Sequence, residues 1–401
     1  MLLGWGTAWT TATQLRAGGV LGLGELVLSL WIPMALTAAL LGGAARPSAL
    51  RTAVLTFWAV AFAALVTGWF VALGAGVWVP GSERDAVAYL LSAVVSAVFV
   101  LQPTPPTRVR LVVWAYLTGL VGPVLGMLLL TATGRVAIGP VNTLYEQFRF
   151  TAWATNPNQI ALACAALPFL GLRLRRSTRG MERHVLGAFL LGLGVVGAAT
   201  LSDALVVAWG VGGGLLAVSW WVGLVRTRRS MGRKVFATLG LPLLALGAAI
   251  VVGPRVADFI DERALAGYDE GGQGSDRLTR WAHGAQAIET SPVVGLGPGS
   301  YSGPTAPFRG EEAHNSLVDW GMSTGLLGAV AYLGLLAAVV RACAAARDTL
   351  GLLGLASLFV FTMFHYAFRQ PVFWMQLLLL AAPHARLAFG AVRPSRRLVV
   401  A

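Results

Sequence analysis

Long apolar runs separated by short polar segments repeat along almost the whole chain. They lie near residues 22–42, 52–74, 86–103, 110–131, 155–172, 184–201, 204–225, 235–253, 314–340, 350–367 and 371–390. Most approach the roughly 20 residues that an α-helix needs to cross a bilayer. Barrel strands would be shorter and would alternate apolar with polar residues. The pattern therefore predicts an all-α, polytopic transmembrane helical bundle of about 11–12 spans, forming one integral membrane domain over residues 1–401. The first 21 residues, rich in Thr, Trp and Gly, are too polar for a full span. They read either as a short or re-entrant first helix or as the remnant of a misplaced start.

Composition sharpens this picture. Of the 401 residues, 56% are hydrophobic and only 12% charged, where a soluble chain carries about a quarter charged residues. The net charge of +13 would suit nucleic acid, but its placement does not. The bases fall in short clusters between apolar runs: Arg173, Arg175, Arg176, Arg179 and Arg183; Arg226, Arg228, Arg229, Arg233 and Lys234; Arg393, Arg396 and Arg397. Such clusters mark cytoplasmic loops. Cys164 and Cys343 both lie in apolar runs and resemble neither a metal site nor a disulfide framework. With the basic loops inside, the segments 132–154 and 254–313 fall on the outer face.

The segment 254–313 breaks the hydrocarbon background, with nine of the 17 acidic residues and five arginines. It is expected to form a large extracytoplasmic loop between late helices that carries much of the chemistry, because charge inside lipid is costly. Within it, Arg277, Arg280, Trp281, Gly284 and Ile288 recur at three- and four-residue spacing, as on an amphipathic helix. Arginines there suit phosphate oxygens, which the planar guanidinium binds bidentately. An interfacial anchor helix with Trp281 at headgroup depth fits the same pattern. The run Gly295–Ser300, with Gly297 and Gly299, lacks the preceding strand and following Lys-Ser/Thr of a phosphate loop. It predicts a tight turn and close backbone approach, with backbone amides that could also hold an anion. His314 and Asn315 open the next apolar run, and Glu311 and Glu312 lie within a turn, placed to orient the imidazole or raise its pKa. A histidine there suits proton abstraction from a hydroxyl; plain helix capping is the alternative. Upstream, Arg149 precedes Asn156-Pro157-Asn158, a cap followed by Pro in the first turn. His365, Arg369 and Asp203 lie near the same face, Asp203 more simply as a turn residue.

Together these residues resemble the O-antigen ligase and O-antigen polymerase superfamily of bacterial membrane glycosyltransferases. The resemblance rests on Arg149 with Asn156-Pro157-Asn158; on Arg277-Leu278, Trp281, Pro292, Gly295, Gly297 and Gly299; and on His314-Asn315 with Gly325 and Gly328. The acidic residue that follows His-Asn in the family is represented by Asp319, whereas Ser202-Asp203 stands where the family often has Ser-Arg. The resemblance implies a multi-pass protein of the bacterial inner membrane with its active site on the periplasmic or extracellular face. The donor would be a glycan on undecaprenyl pyrophosphate, and the acceptor a hydroxyl of a glycan or glycolipid. The reaction would need neither cofactor nor metal. His314 would be the general base, with Arg277 and Arg149 on the pyrophosphate. Arg280, Trp281, Asn156, Asn158, Gly297, Gly299, Asn315 and Arg369 would bind substrate. A transporter or flippase, or a non-catalytic partner in surface polysaccharide assembly, is the competing expectation. A transporter would place charges at mid-membrane depth, whereas here polar residues gather at one face.

Overall fold

The computed structural model describes residues 1–17, 21–41, 48–146, 148–226, 273–299 and 310–382. The expected span at 235–253, much of the 254–313 segment and the end of the 371–390 run lie outside the described residues. Thirteen helices are described: α1 Leu2–Trp9, α2 Leu23–Leu41, α3 Ala49–Gly74, α4 Ser82–Leu101, α5 Pro106–Ala132, α6 Pro157–Ala165, α7 Leu167–Arg175, α8 Gly180–Ala199, α9 Asp203–Arg226, α10 Gln273–Thr290, α11 Ser316–Ala345, α12 Thr349–Thr362 and α13 Pro371–Ala381. Three two-residue antiparallel ribbons complete the described elements, two of them between α5 and α6. The protein is an all-α polytopic membrane bundle. Seven described helices (α2, α3, α4, α5, α8, most of α9, and α11) are long and apolar enough to cross a membrane.

The first residues form α1, an eight-residue helix packed on α5 and too short to span. Trp9 Nε1 donates to the Gly119 carbonyl at 2.9 Å. Gly4 lies against the α5 backbone at Val112 and Tyr116, where no side chain would fit. An aromatic cluster welds α3, α11 and α13: Phe57 stacks on Trp320 at 5.7 Å, and both Phe57 and Trp58 pack on Trp374.

The expected single span at 155–172 is two short helices. Pro168 lacks an amide hydrogen, and the chain breaks at Ala166 between α6 and α7. The four last carbonyls of α6 each accept a hydrogen bond from a different helix. Gln376 Nε2 reaches Leu162 O (2.7 Å), the Tyr116 hydroxyl reaches Ala163 O (2.8 Å), Trp209 Nε1 reaches Cys164 O (3.2 Å) and the Ser357 hydroxyl reaches Ala165 O (2.9 Å). Gln376 Oε1 also accepts from Ala166 N at 2.7 Å. Polar side chains thus supply what a dry interior withholds from a broken helix.

A second break lies in α11, where Gly325 has φ 58° and ψ −157°. The segment 292–297 lies against this break and replaces the missing helical bonds. Leu296 N donates to Met322 O (2.8 Å) and Gly297 N to Ser323 O (3.0 Å), while Leu326 N and Leu327 N donate to Pro292 O (2.8 Å) and Val293 O (3.1 Å). The opposite side of this segment meets α3. A Cβ at Gly297, where φ is 82°, would collide with the backbone of Trp69 and Leu65, and one at Gly68 would collide with Gly297. Glycine is required here for close approach and for positive φ.

Two consequences for stability follow from these breaks. Gln376→Leu leaves the Leu162 carbonyl and the Ala166 amide without side-chain partners, at a cost of about 1–3 kcal/mol each way the bond is lost. Gly297→Ala meets immovable backbone and should be worse. Thermal unfolding of the detergent-solubilised variants is expected to show lowered midpoints for both, with Gly297→Ala the more severe; wild-type midpoints would contradict these contacts.

Candidate active site

Helix α10 carries the amphipathic stripe expected from its spacing, but the stripe faces the protein. Gly284 sits against Val318 and Met322, and Ile288 against Gly321. Trp281 Nε1 donates to the Ala313 carbonyl at 2.9 Å, so the indole is a docking contact instead of the outward-facing headgroup anchor that the anchor-helix pattern expected. Burial of α10 against α3 and α11 also places Ala287, Leu296 and Met322 in one small apolar cluster. Arg277 and Arg280 thereby project beside the start of α11.

His314 occupies the turn immediately before that start. Its φ of 56° is left-handed, a conformation uncommon for a residue with a side chain. Asp319 holds it there. Its carboxylate accepts from Ala313 N at 2.9 Å and from Asn315 N at 3.1 Å, gripping the amide on each side of the histidine. Asn315 then caps α11, its side chain accepting from Leu317 N (3.0 Å) and Val318 N (3.3 Å). The capping expected of the His-Asn pair thus falls to Asn315, and the imidazole is left half-buried.

The neighbouring carboxylates do not prevail at His314, whose net shift is downward. Glu311 pairs with Arg280 and Glu312 with Arg369, which compensates both charges. Glu312 stands 3.7 Å from His314 Nδ1. Burial first, then the charges of Arg277 and Arg280, push the imidazole down to about 4, against a smaller opposing pull from Glu311. His314 is therefore neutral, with a lone pair available, at physiological pH. Arg277 forms no ion pair with any described residue, whereas Arg369 is held by Asp85 (3.0 Å) and Glu312 and lies over the Tyr366 ring. Arg369 thus ties α4 to the turn before α11, and its guanidinium is already occupied.

The loop 363–370 closes this cluster from the other side. The Ser316 hydroxyl donates to His365 O (2.7 Å) and accepts from Ala367 N (2.9 Å). His365 is buried, lies within electrostatic reach of His314 and Arg277, and neither of its ring nitrogens has a hydrogen-bond partner among the described residues. From the sequence alone His365 is one polar residue among several near the outer face. The signal for it is a histidine interrupting an apolar run, and the signal for Asp319 is an acid in the first turn after His-Asn.

A second polar group surrounds Arg149. Asn156 caps α6 as its sequence predicts, accepting from Asn158 N at 2.8 Å. Asn158 Oδ1 accepts from the Ser202 hydroxyl (2.8 Å) and from Arg149 Nη2 (3.4 Å), and Arg149 Nε donates to Thr200 O (3.3 Å). No hydrogen bond or ion pair between described residues joins this group to His314. Both lie at the same end of the bundle, as the packing shows. Arg173, at the end of α7, holds the last carbonyls of α13, so α6–α7 and α13 run side by side in one direction. Helix α12 starts beside Arg173, through the Arg173–Asp348 pair, and ends at the loop fastened to Ser316. Of the glycines expected to bind substrate, Gly297 has its amide occupied by Ser323; Gly299, with φ 144°, ends the described part of the segment.

A family model described as O-antigen ligase matches residues 186–333. The motif resemblance is borne out over that stretch, which contains Arg277, Arg280, Trp281, the glycine segment and His314-Asn315 but ends before Arg369 and begins after Arg149. The likeness supports a multi-pass protein of the inner membrane and an enzyme of the ligase or polymerase kind. No curated protein matches the chain.

The depressed His314 pKa sets a pH signature. An ordinary histidine base loses activity as pH falls through about 6.5. Here the folded imidazole stays unprotonated to about 4, so turnover should hold its plateau through pH 6 and 5 and decline only near 4. The same shift means that stability falls as pH drops from about 6.5 towards 4, where the unfolded chain takes up a proton that the folded one refuses. A pH–rate profile breaking at 6.5 would show that neither burial nor the two arginines depress the ring.

Proposed function

We propose that this chain joins a glycan from an undecaprenyl-pyrophosphate carrier to an acceptor hydroxyl on the outer membrane face, as a surface-polysaccharide ligase or polymerase. The observation that carries the reading is the neutral, strained His314 held beside Arg277, which has no ion pair among the described residues. In this reading His314 takes the acceptor's proton, the acceptor oxygen bonds to the anomeric carbon, and the bond from that carbon to the pyrophosphate oxygen breaks. The leaving pyrophosphate gathers charge, and Arg277 meets it with a bidentate donor that cannot be deprotonated. Arg149, at the same end of the bundle, serves the same phosphates in this reading. Arg280, paired with Glu311, supplies long-range positive potential, and Asn156 and Asn158 shape the entry of α6.

The experiment is transfer in nanodiscs with undecaprenyl-pyrophosphate oligosaccharide and native acceptor, without added metal or nucleotide sugar. Wild type is expected to form product. His314→Ala is expected to lose about 10²–10⁴-fold in kcat, and Arg277→Ala a comparable amount, with both variants eluting as folded monodisperse protein. Product from His314→Ala at the wild-type rate would sink the base assignment. No product from folded wild type with both substrates present would sink the enzyme reading. Product length separates a polymerase from a ligase.

A further inference from the structure

At the end of the bundle remote from His314, α7, α8, α9 and α12 line a half-open cavity of about 650 Å³. Four arginines line it: Arg175, Arg176, Arg179 and Arg183. Among the described residues no acid lines it, and none of the four forms an ion pair. The two nearest carboxylates are engaged elsewhere, Glu182 by Arg110 and Asp348 by Arg173. Arg175 Nε is buried and has no hydrogen-bond partner among the described residues. Helix α8 begins at this rim with Arg179 in the cap position and no side-chain cap, so its first amides add positive potential. The remaining wall is Thr178 and three leucines, Leu172, Leu216 and Leu350, on three different helices.

Like charges gathered around a cavity repel one another unless an anion joins them. A topogenic cluster needs only to stay in water on one side of the membrane; it does not need a pocket, a buried Arg175 Nε without a partner among the described residues, or a leucine wall. We propose that this cavity is a binding site for the phosphate headgroup of an anionic phospholipid, with the leucine wall receiving the start of an acyl chain. Arginine forks suit phosphate oxygens. Basic pockets between transmembrane helices on the cytoplasmic side are where such headgroups bind, and the anionic lipid is at hand in that leaflet. The apolar wall selects a lipid over a soluble phosphate, which would leave the leucines wet. The site is independent of the transfer reaction proposed above.

The test is native mass spectrometry and thermal unfolding of the full chain in a zwitterionic detergent, titrated with phosphatidylglycerol, phosphatidylcholine or inorganic phosphate. The triple variant Arg176→Gln, Arg179→Gln, Arg183→Gln alters three exposed side chains and should fold. A charge-matched control changes Arg228, Arg229 and Arg233 to Gln in the next basic segment. Wild type and the control are expected to retain phosphatidylglycerol over phosphatidylcholine and to gain stability from it. The cavity variant is expected to bind it about tenfold or more weakly. Equal losses in cavity variant and control would overturn the site in favour of general attraction to a basic face. Stabilisation by inorganic phosphate equal to that by lipid would overturn the lipid in favour of a soluble anion. No preference for phosphatidylglycerol in wild type would overturn the proposal outright.

Discussion

The break in α11 at Gly325 is the constraint on which the His314 end of the molecule depends. A helix interrupted inside an apolar bundle leaves carbonyls and amides that no water can reach. Here the backbone of residues 292–297 supplies the partners on both sides of the break, accepting two hydrogen bonds and donating two. That repair also fixes where the chain comes from and where it goes. It ends α10 against α11 on one side and presses the glycine segment onto α3 on the other. Arg277 and Trp281 therefore reach the turn that holds His314 because of a backbone ladder several residues away.

The α6–α7 break obeys the same rule by other means. Its carbonyls accept from a glutamine, a tyrosine, a tryptophan and a serine on four different helices. Arg173 does similar work at the far end of α13, where its guanidinium bonds to Leu379, Leu380 and Ala382 carbonyls and pairs with Asp348 at 2.7 Å. Its position in a basic cluster suggested a solvated topogenic charge; the structure makes it a buried clamp. Polar residues inside this bundle thus serve first to complete broken backbone, and only those without such a duty remain for chemistry.

Strain and charge are then concentrated at one place. His314 in left-handed backbone is tolerable because the Asp319 carboxylate grips the amides on either side. Its neutrality follows from burial and from two arginines. The two neighbouring glutamates, which might be expected to favour the imidazolium, are held by Arg280 and Arg369. The result is a neutral imidazole beside a cation without a described counter-ion.

The apolar periodicity of the chain determined the all-α polytopic class, because any segment that crosses lipid must be apolar and must close its own backbone bonds. Local motifs determined the Asn156 cap, the α10 stripe and the prominence of His314-Asn315, since caps and helical faces depend on residues within a turn or two. Periodicity could not reveal that the 155–172 run is two helices, because a broken helix and a continuous one are equally apolar. Nor could it reveal that Arg369 and Arg173 are occupied, that the glycine segment repairs α11, or that Glu311 and Glu312 fail to charge His314. Each of those depends on partners far away in the chain, from Asp85 to Arg369 and from Asp348 to Arg173. Hydrogen bonds and ion pairs of that range are set by packing, which only the tertiary structure decides.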